Sequence, residues 1–154
     1  MRTGKGSVRT VLLWLTAALF IGLATSSGAI DNPDAPNRVA EFEKRALPFE
    51  KALSATDGAS ASARAGQAYA RFLDAELNAA YGGLLSKLDN STRGALVESQ
   101  RQWLRFRNAE AQFIGRHWTR ERSGTSSSLS VAGYSNAVVK DRVLQLLRYT
   151  SEYP

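Results

Sequence analysis

Two stretches of helically spaced apolar residues, separated by a short turn, most constrain how this chain folds. The first repeats leucine at helical spacing from Leu73 to Leu88. It is followed at 89–92 by DNST, residues that favour turns and helix N-caps. Because a short turn places consecutive helices side by side, the pattern predicts a central antiparallel hairpin of two helices, 64–88 and 92–120.

Apolar periodicity predicts two further helices. One begins near Asn37 and contains Pro48, where we expect a kink or a break, and the last covers about 135–149. Stretches rich in serine at 54–63 and 123–133 predict flexible loops. No segment alternates polar and apolar residues as a half-buried strand does. The predicted fold class is therefore all-α, a small antiparallel bundle of about four helices.

The first 29 residues predict a Sec-type signal peptide. Arg2, Lys5 and Arg9 precede an apolar run over 11–24, and small residues lead to Ala29, after which we expect cleavage. A membrane-spanning helix needs about 20 apolar residues, more than this run provides, so retention as an uncleaved anchor is the less favoured alternative. The leader predicts a periplasmic or secreted protein.

Cleavage would leave a polar spacer, 30–36, and a single domain, 37–150, with no stable membrane span. The leader contains three basic residues and no acidic one, so the formal charge falls from +6 to +3. The chain has no cysteine, which excludes a lipid anchor on a cysteine and any disulfide. Packing alone is expected to hold the domain together.

Polar residues occupy the middle of the apolar face in both helices of the predicted hairpin. At about 100° per residue, Gln100 and Arg107 lie within roughly 20° of each other, among apolar neighbours. Facing residues of an antiparallel hairpin have position numbers with a nearly constant sum. Three pairs share one sum and are predicted to face each other: Asp74 with Arg107, Asn78 with Trp103, and Tyr81 with Gln100.

Two interpretations of these six residues remain open. In the first, they form a buried network in which Asp74, or alternatively Glu110, neutralises Arg107 and fixes the register of the hairpin, because an unpaired buried arginine is costly. In the second, both polar sets are partly exposed at the mouth of the bundle and contact a ligand.

The segments LDAELNAAY at 73–81 and QRQWLRFRN at 100–108 resemble the LprI-like N-terminal domain family of bacterial envelope proteins, named after a lysozyme inhibitor. The family has an L-D-x-x-L-N-x-x-Y segment and a Q-R-x-W-L-x-x-R-D-A-x-C segment. The matching residues are Leu73, Asp74, Leu77, Asn78, Tyr81, Gln100, Arg101, Trp103, Leu104 and Arg107, with Arg142 and Leu146 as matches in the last helix.

The chain departs from the family pattern at three places. Asn108 replaces the family's aspartate, Ala111 replaces its cysteine, and no partner cysteine exists near 134–136. A disulfide between the third and last helices, which the resemblance implies, is therefore absent, and packing must replace it. Loss of such a bridge commonly costs about 2–5 kcal/mol, so the 123–133 loop is expected to be mobile.

The resemblance implies a non-enzymatic envelope protein that binds a lysozyme or another cell-wall-associated protein. The alternative is a periplasmic helical domain of envelope stress or assembly with no lysozyme target. Common defensive lysozymes are strongly basic, so a charge of +3 opposes the encounter unless an acidic patch overcomes it locally. The predicted compartment excludes nucleic acid, and a solvated basic face explains Arg101, Arg105, Arg116 and Arg120.

Catalytic chemistry has little support in the sequence. The chain has one histidine, His117, which helical spacing places near Phe113 and Glu110, at the boundary between the apolar and polar faces of its helix. Nucleophilic catalysis needs a base beside the nucleophile. Asp74 and Glu110 could imitate the carboxylates of a glycosidase, but Arg107 at the same level indicates charge neutralisation. With no cysteine and no histidine pair, a metal site is not expected, and neither is a cofactor.

Overall fold

The computed structural model describes residues 36–153, which form four long helices joined by short connections. The elements are α1 (Arg38–Ser54), α2 (Ala59–Lys87), α3 (Asn90–His117), the short α4 (Arg120–Ser123), a 3₁₀ turn (Gly124–Ser126) and α5 (Ser127–Ser151). No strand occurs in this range, so the all-α prediction is confirmed. The predicted signal peptide, 1–29, and almost all of the predicted spacer, 30–36, lie outside the described residues.

Side-chain caps fix the starts of α1 and α3. Asn37 Oδ1 accepts a hydrogen bond from the Ala40 amide at 2.9 Å. Asp89 Oδ1 accepts from the amides of Ser91 and Thr92, at 2.8 and 3.0 Å, while Asp89 Oδ2 accepts from the Thr92 hydroxyl at 2.7 Å. These bonds satisfy amides that have no partner within the helix. The predicted turn therefore lies at the expected place.

The structure corrects two predictions about the helices. Of the kink or break expected at Pro48, the break does not occur, because α1 continues as one helix from Arg38 to Ser54. The predicted loop over 123–133 is largely helical, and α5 begins at Ser127 rather than near Ser135. Leu129 and Ala132 pack against the core, and this burial outweighs the low helix propensity of the serines around them.

The central pair of the bundle is α2 and α5, which share the most extensive contact in the described range and run parallel. At their amino-terminal ends, Asn136 Nδ2 donates to the Gly66 carbonyl at 3.1 Å. A methyl group built on Gly66 would lie 2.5 Å from the Ala132 side chain, so only glycine allows this approach. At their carboxyl-terminal ends, Ala80 and Thr150 line one small pocket.

Helix α1 crosses both central helices and closes the core. Fully buried side chains from the three helices meet there: Phe42, Leu73, Val143 and Leu146. Glu50 accepts hydrogen bonds from the Tyr69 hydroxyl and the Lys140 ammonium group, each at 2.7 Å, and so joins α1 to α2 and α5. The core of the described domain is therefore an apolar three-helix unit, α1–α2–α5, with one polar link at its edge.

Helix α3 lies outside this unit. Of its residues only Leu96 and Ile114 are buried. Its backbone approaches α5 more closely than α2, although a two-residue connection joins it to α2. The hairpin partners are thus consecutive in sequence but splayed apart, and a groove opens between them. Among residues 36–153, no helix is both long enough and apolar enough to cross a bilayer.

Candidate functional site

The groove between α2 and α3 has a volume of about 510 Å³ and is open to solvent. This volume is within the roughly 300–1,000 Å³ typical of ligand pockets. Its apolar surface comes from Leu77, Val97 and Leu104, and polar groups stand on both walls. The polar lining residues are Asp74, Asn78, Tyr81, Gln100, Arg101 and Arg107. Five of the six predicted site residues therefore line one groove, and Trp103 is the exception.

The α2 wall presents polar groups without intramolecular partners. Asp74 and Asn78 are exposed, and within residues 36–153 neither side chain makes a hydrogen bond or an ion pair. Tyr81 is half-buried and packs against the core. The α2 wall therefore offers a carboxylate, an amide and a phenol, of which the carboxylate and the amide have no other structural task.

The α3 wall is basic. The Arg107 guanidinium donates hydrogen bonds only to the neighbouring Asn108, with Nε and Nη2 at 3.4 and 3.2 Å from Asn108 Oδ1. It also lies 5.6 Å from the centre of the Trp103 ring. Arg101 lies 3.6 Å from Glu98 on the solvent side. Arg107 has no carboxylate partner in the described part of the chain, so its charge faces the groove uncompensated.

Arg142 of α5 holds α3 in this position. Its side chain is 6% exposed, and Nε donates to Gln100 Oε1 at 3.1 Å while Nη2 donates to the Ser99 hydroxyl at 3.2 Å. Nη1 donates to Gln145 at 2.6 Å, and the guanidinium lies 5.9 Å from the Trp103 ring centre. Burial lowers the pKa of Arg142, opposed in part by Tyr149, but a guanidinium remains charged. All three acceptors are neutral.

The predicted pairings across the hairpin are wrong. Gln100 bonds to Arg142 rather than to Tyr81, and Trp103 lies beside two guanidinium groups. Asp74 and Arg107 form no ion pair. These pairings require α2 and α3 to pack along their length, whereas α5 takes the place beside α2 that α3 was expected to occupy.

Arg142 and Ser99 were not among the predicted site residues. A signal for Arg142 was present, because it lies between Val139 and Leu146 at helical spacing, a polar residue inside an apolar stripe like Gln100 and Arg107. Ser99 carried no such signal. The family resemblance matched Arg142 without indicating what it contacts.

A series of aromatic rings joins the C-terminal end of α3 to the N-terminal half of α5. Phe113 stacks on His117, with ring centres 5.4 Å apart, and His117 meets Trp118 edge-on at 5.0 Å. Trp118 stacks on Tyr134 at 5.2 Å. Tyr134 is one of the positions at which the family resemblance implied a partner cysteine, so ring stacking contributes to the tie that a disulfide would supply there.

The groove combines several kinds of recognition group. His117 is not among the residues that line it. In residues 36–153 no three metal-binding side chains cluster. Hydrogen-bond donors and acceptors, both signs of charge and an apolar floor suit the recognition of a polar partner.

Comparison with known proteins identifies the family. No curated protein and no solved structure matches the chain. A family model described as lysozyme inhibitor LprI matches residues 51–146, which begin in the last turn of α1, contain all of α2 and α3, and end in α5. Because this match covers more than half of the 154 residues, the chain belongs to the lysozyme inhibitor LprI family.

Proposed function

We propose that this chain is an exported, non-enzymatic binding protein that inhibits a lysozyme-type muramidase. Membership of the lysozyme inhibitor LprI family supports the activity, and the basic, apolar and small-residue order of the first 29 residues supports export. The protein acts in the periplasm or outside the cell, where its target meets peptidoglycan.

The groove between α2 and α3 is the contact site in this proposal. The observation that carries it is that Asp74, Asn78 and Arg107 reach the groove without intramolecular ion pairs. Polar residues that neither fill the core nor bridge the two helices are available to a ligand, which favours the second of the two sequence-based interpretations.

The chemistry of a muramidase suits the basic wall of this groove. Most glycosidases hold two carboxyl groups beside the scissile bond, in a cleft shaped for the sugar chain. An arginine can donate two parallel hydrogen bonds to one carboxylate, the geometry that gives such pairs both strength and direction. Arg107 and Arg101 lie on the same wall of the groove and can supply these donors. Inhibition then consists of occupying the cleft and neutralising its carboxylates.

The primary test is the lysis of peptidoglycan. The full chain is expressed with its own leader in a bacterial host and recovered from the periplasm or medium, and intact mass gives the N-terminus of the recovered protein. Addition of this protein is expected to slow lysis by a basic lysozyme in a dose-dependent way. Undiminished lysis at a large molar excess contradicts the proposal and leaves an envelope domain with another target, which capture of partners from an envelope extract would identify.

A matched pair of arginine variants tests the groove. Arg107→Gln removes the charge at the groove, whereas Arg71→Gln removes an exposed charge from α2 outside it. We expect Arg107→Gln to weaken inhibition about tenfold, as for an arginine at the centre of an interface, and Arg71→Gln to change it little. Equal inhibition by both variants would exclude Arg107 from the contact.

A further inference from the structure

After the proposed removal of the leader, the net charge of +3 opposes association with a basic enzyme unless the two signs of charge are separated on the surface. Helix α3 shows such a separation. Arg101, which lines the groove, and Arg105 lie 3.6 and 3.5 Å from Glu98 on the solvent-exposed side of α3. Arg116 lies on the same side at helical spacing. The flank of α3 that meets α5 contains none of these arginines.

Exposed aromatic rings occupy that other flank. Phe106 and Phe113 are 54% and 58% exposed, and their seven-residue spacing places them within roughly 20° on one stripe of α3. Tyr134 of α5, which is 54% exposed, lies beside the same end of α3 through its stack on Trp118. Phenylalanine and tyrosine are enriched at protein interfaces relative to the rest of the protein surface.

Contacts between α3 and α5 continue this surface to the other end of α5. Ser99, seven residues before Phe106 on the same stripe, accepts a hydrogen bond from Arg142. Arg142 donates to Gln145, and Gln145 donates to the hydroxyl of the exposed Tyr149 at 3.2 Å. Both helices therefore border one elongated surface. We name it the α3/α5 seam, formed by Phe106, Glu110, Phe113, Tyr134, Asp141 and Tyr149.

The seam contains two carboxylates, Glu110 and Asp141, and none of the arginines Arg101, Arg105 and Arg116. On α3, Glu110 lies between Phe106 and Phe113 in the sequence. On α5, Asp141 comes seven residues after Tyr134, so the two side chains point within roughly 20° of each other around the helix axis. Neither carboxylate forms an ion pair inside the 36–153 range. Arg148, on the same side of α5, is offset in charge by Glu152 four residues later. The buried Arg142 adds one positive charge, and two carboxylates against this one guanidinium leave the net charge of the seam negative.

We infer that the α3/α5 seam is the surface on which the cationic outer surface of the muramidase docks, an inference that rests on the proposed function. Its carboxylates complement a basic partner, and its rings supply apolar anchors. Helix α3 is then contacted on both flanks: the arginines of the groove face the acidic cleft, and the seam faces the basic rim around it. A positively charged inhibitor can bind a positively charged enzyme because the charges meet in this order.

Variants of the seam test the inference in the full-length protein. Phe113→Ser removes one anchor, and Glu110→Gln combined with Asp141→Asn removes the charge. We expect Phe113→Ser to weaken binding to immobilised basic lysozyme about tenfold, through faster dissociation. The double charge variant should associate more slowly at low salt, and its association rate should depend less on salt than that of the wild type.

Matched controls come from α1, on the opposite side of the bundle. Leu47→Ser removes an apolar side chain of similar exposure (46%), and Glu43→Gln removes an exposed carboxylate. Both are expected to bind like the wild type, and circular dichroism melting verifies that every variant is folded.

The outcomes separate the two proposals. If the wild type does not inhibit lysozyme, the proposed function fails, and the seam inference falls with it. If the wild type inhibits and the seam variants inhibit equally, the seam inference alone is overturned. It is also overturned if sedimentation shows that the seam variants dissociate a self-associated wild type without changing inhibition, because the seam would then bind a second copy of this chain.

Discussion

The α1–α2–α5 core and the α3 side of the molecule are held together by different chemistry. In the core, leucine, valine and phenylalanine side chains are fully excluded from water. On the α3 side, one buried arginine donates to the neutral acceptors Gln100 and Ser99, and most of the helix is exposed. The difference indicates that stability comes from the core, whereas α3 is a supported element whose surfaces are available for binding.

The sharpest contrast between the two regions should come from truncating a leucine in each. Leu73→Ala removes a fully buried side chain from α2 and is expected to lower the free energy of unfolding by about 3 kcal/mol. Leu104→Ala, at a residue of α3 that is 36% exposed, should cost less than about 1 kcal/mol. Urea denaturation measures the free energy of unfolding of both variants. Similar decreases would contradict the view that stability comes from the core and not from α3.

Removing Arg142 should separate α3 from the core. Arg142→Met keeps much of the side-chain volume but deletes the donors to Gln100 and Ser99, at an expected cost of about 2 kcal/mol. Hydrogen exchange by mass spectrometry should show faster exchange in α3 while α2 keeps its protection. Equal acceleration in both helices would mean that α3 and the core unfold as one unit.

The polar link at the edge of the core predicts a dependence of stability on acid. Hydrogen bonds from Lys140 and then Tyr69 hold the pKa of Glu50 below its usual value. Its contribution is therefore complete above the ordinary pKa of 4.5 and is lost as the pH falls through the lower value in the folded protein. Glu50 is partly exposed, so we expect less than about 1 kcal/mol. Denaturation of wild type and Glu50→Gln at several pH values should show their difference shrinking in acid.

The smallest effect is expected in the groove. Asp74→Ala and Arg107→Ala should each change stability by less than about 0.5 kcal/mol, because neither residue forms an ion pair within the described domain. Their effects should be additive within about 0.3 kcal/mol in a double-mutant cycle. A coupling of about 1 kcal/mol or more would instead support the buried pair expected from the hairpin.

Apolar spacing indicated both α2 and α3, although α2 begins at Ala59 rather than at 64, and the cap at Asp89 was visible in the turn between them. The start of α5 was missed because the burial of Ala132 against Gly66 depends on a contact between residues distant in sequence, which serine-rich composition hides. The polar residues of the groove were recognised from their positions in the apolar stripe. Their partners were not, because helical spacing gives the face of a residue but not which helix lies opposite that face.

The parallel contact between α2 and α5 also determines the order of events during synthesis. Asn136 and Gly66, which bond across this contact, are 70 residues apart in the chain. When α1 and α2 have left the ribosome, the apolar residues that will face α5 are still uncovered, and they remain so until α5 has emerged. Long-range contacts of this kind form late and leave nascent chains prone to aggregation. The core of the described domain can therefore be completed only when α5 is available.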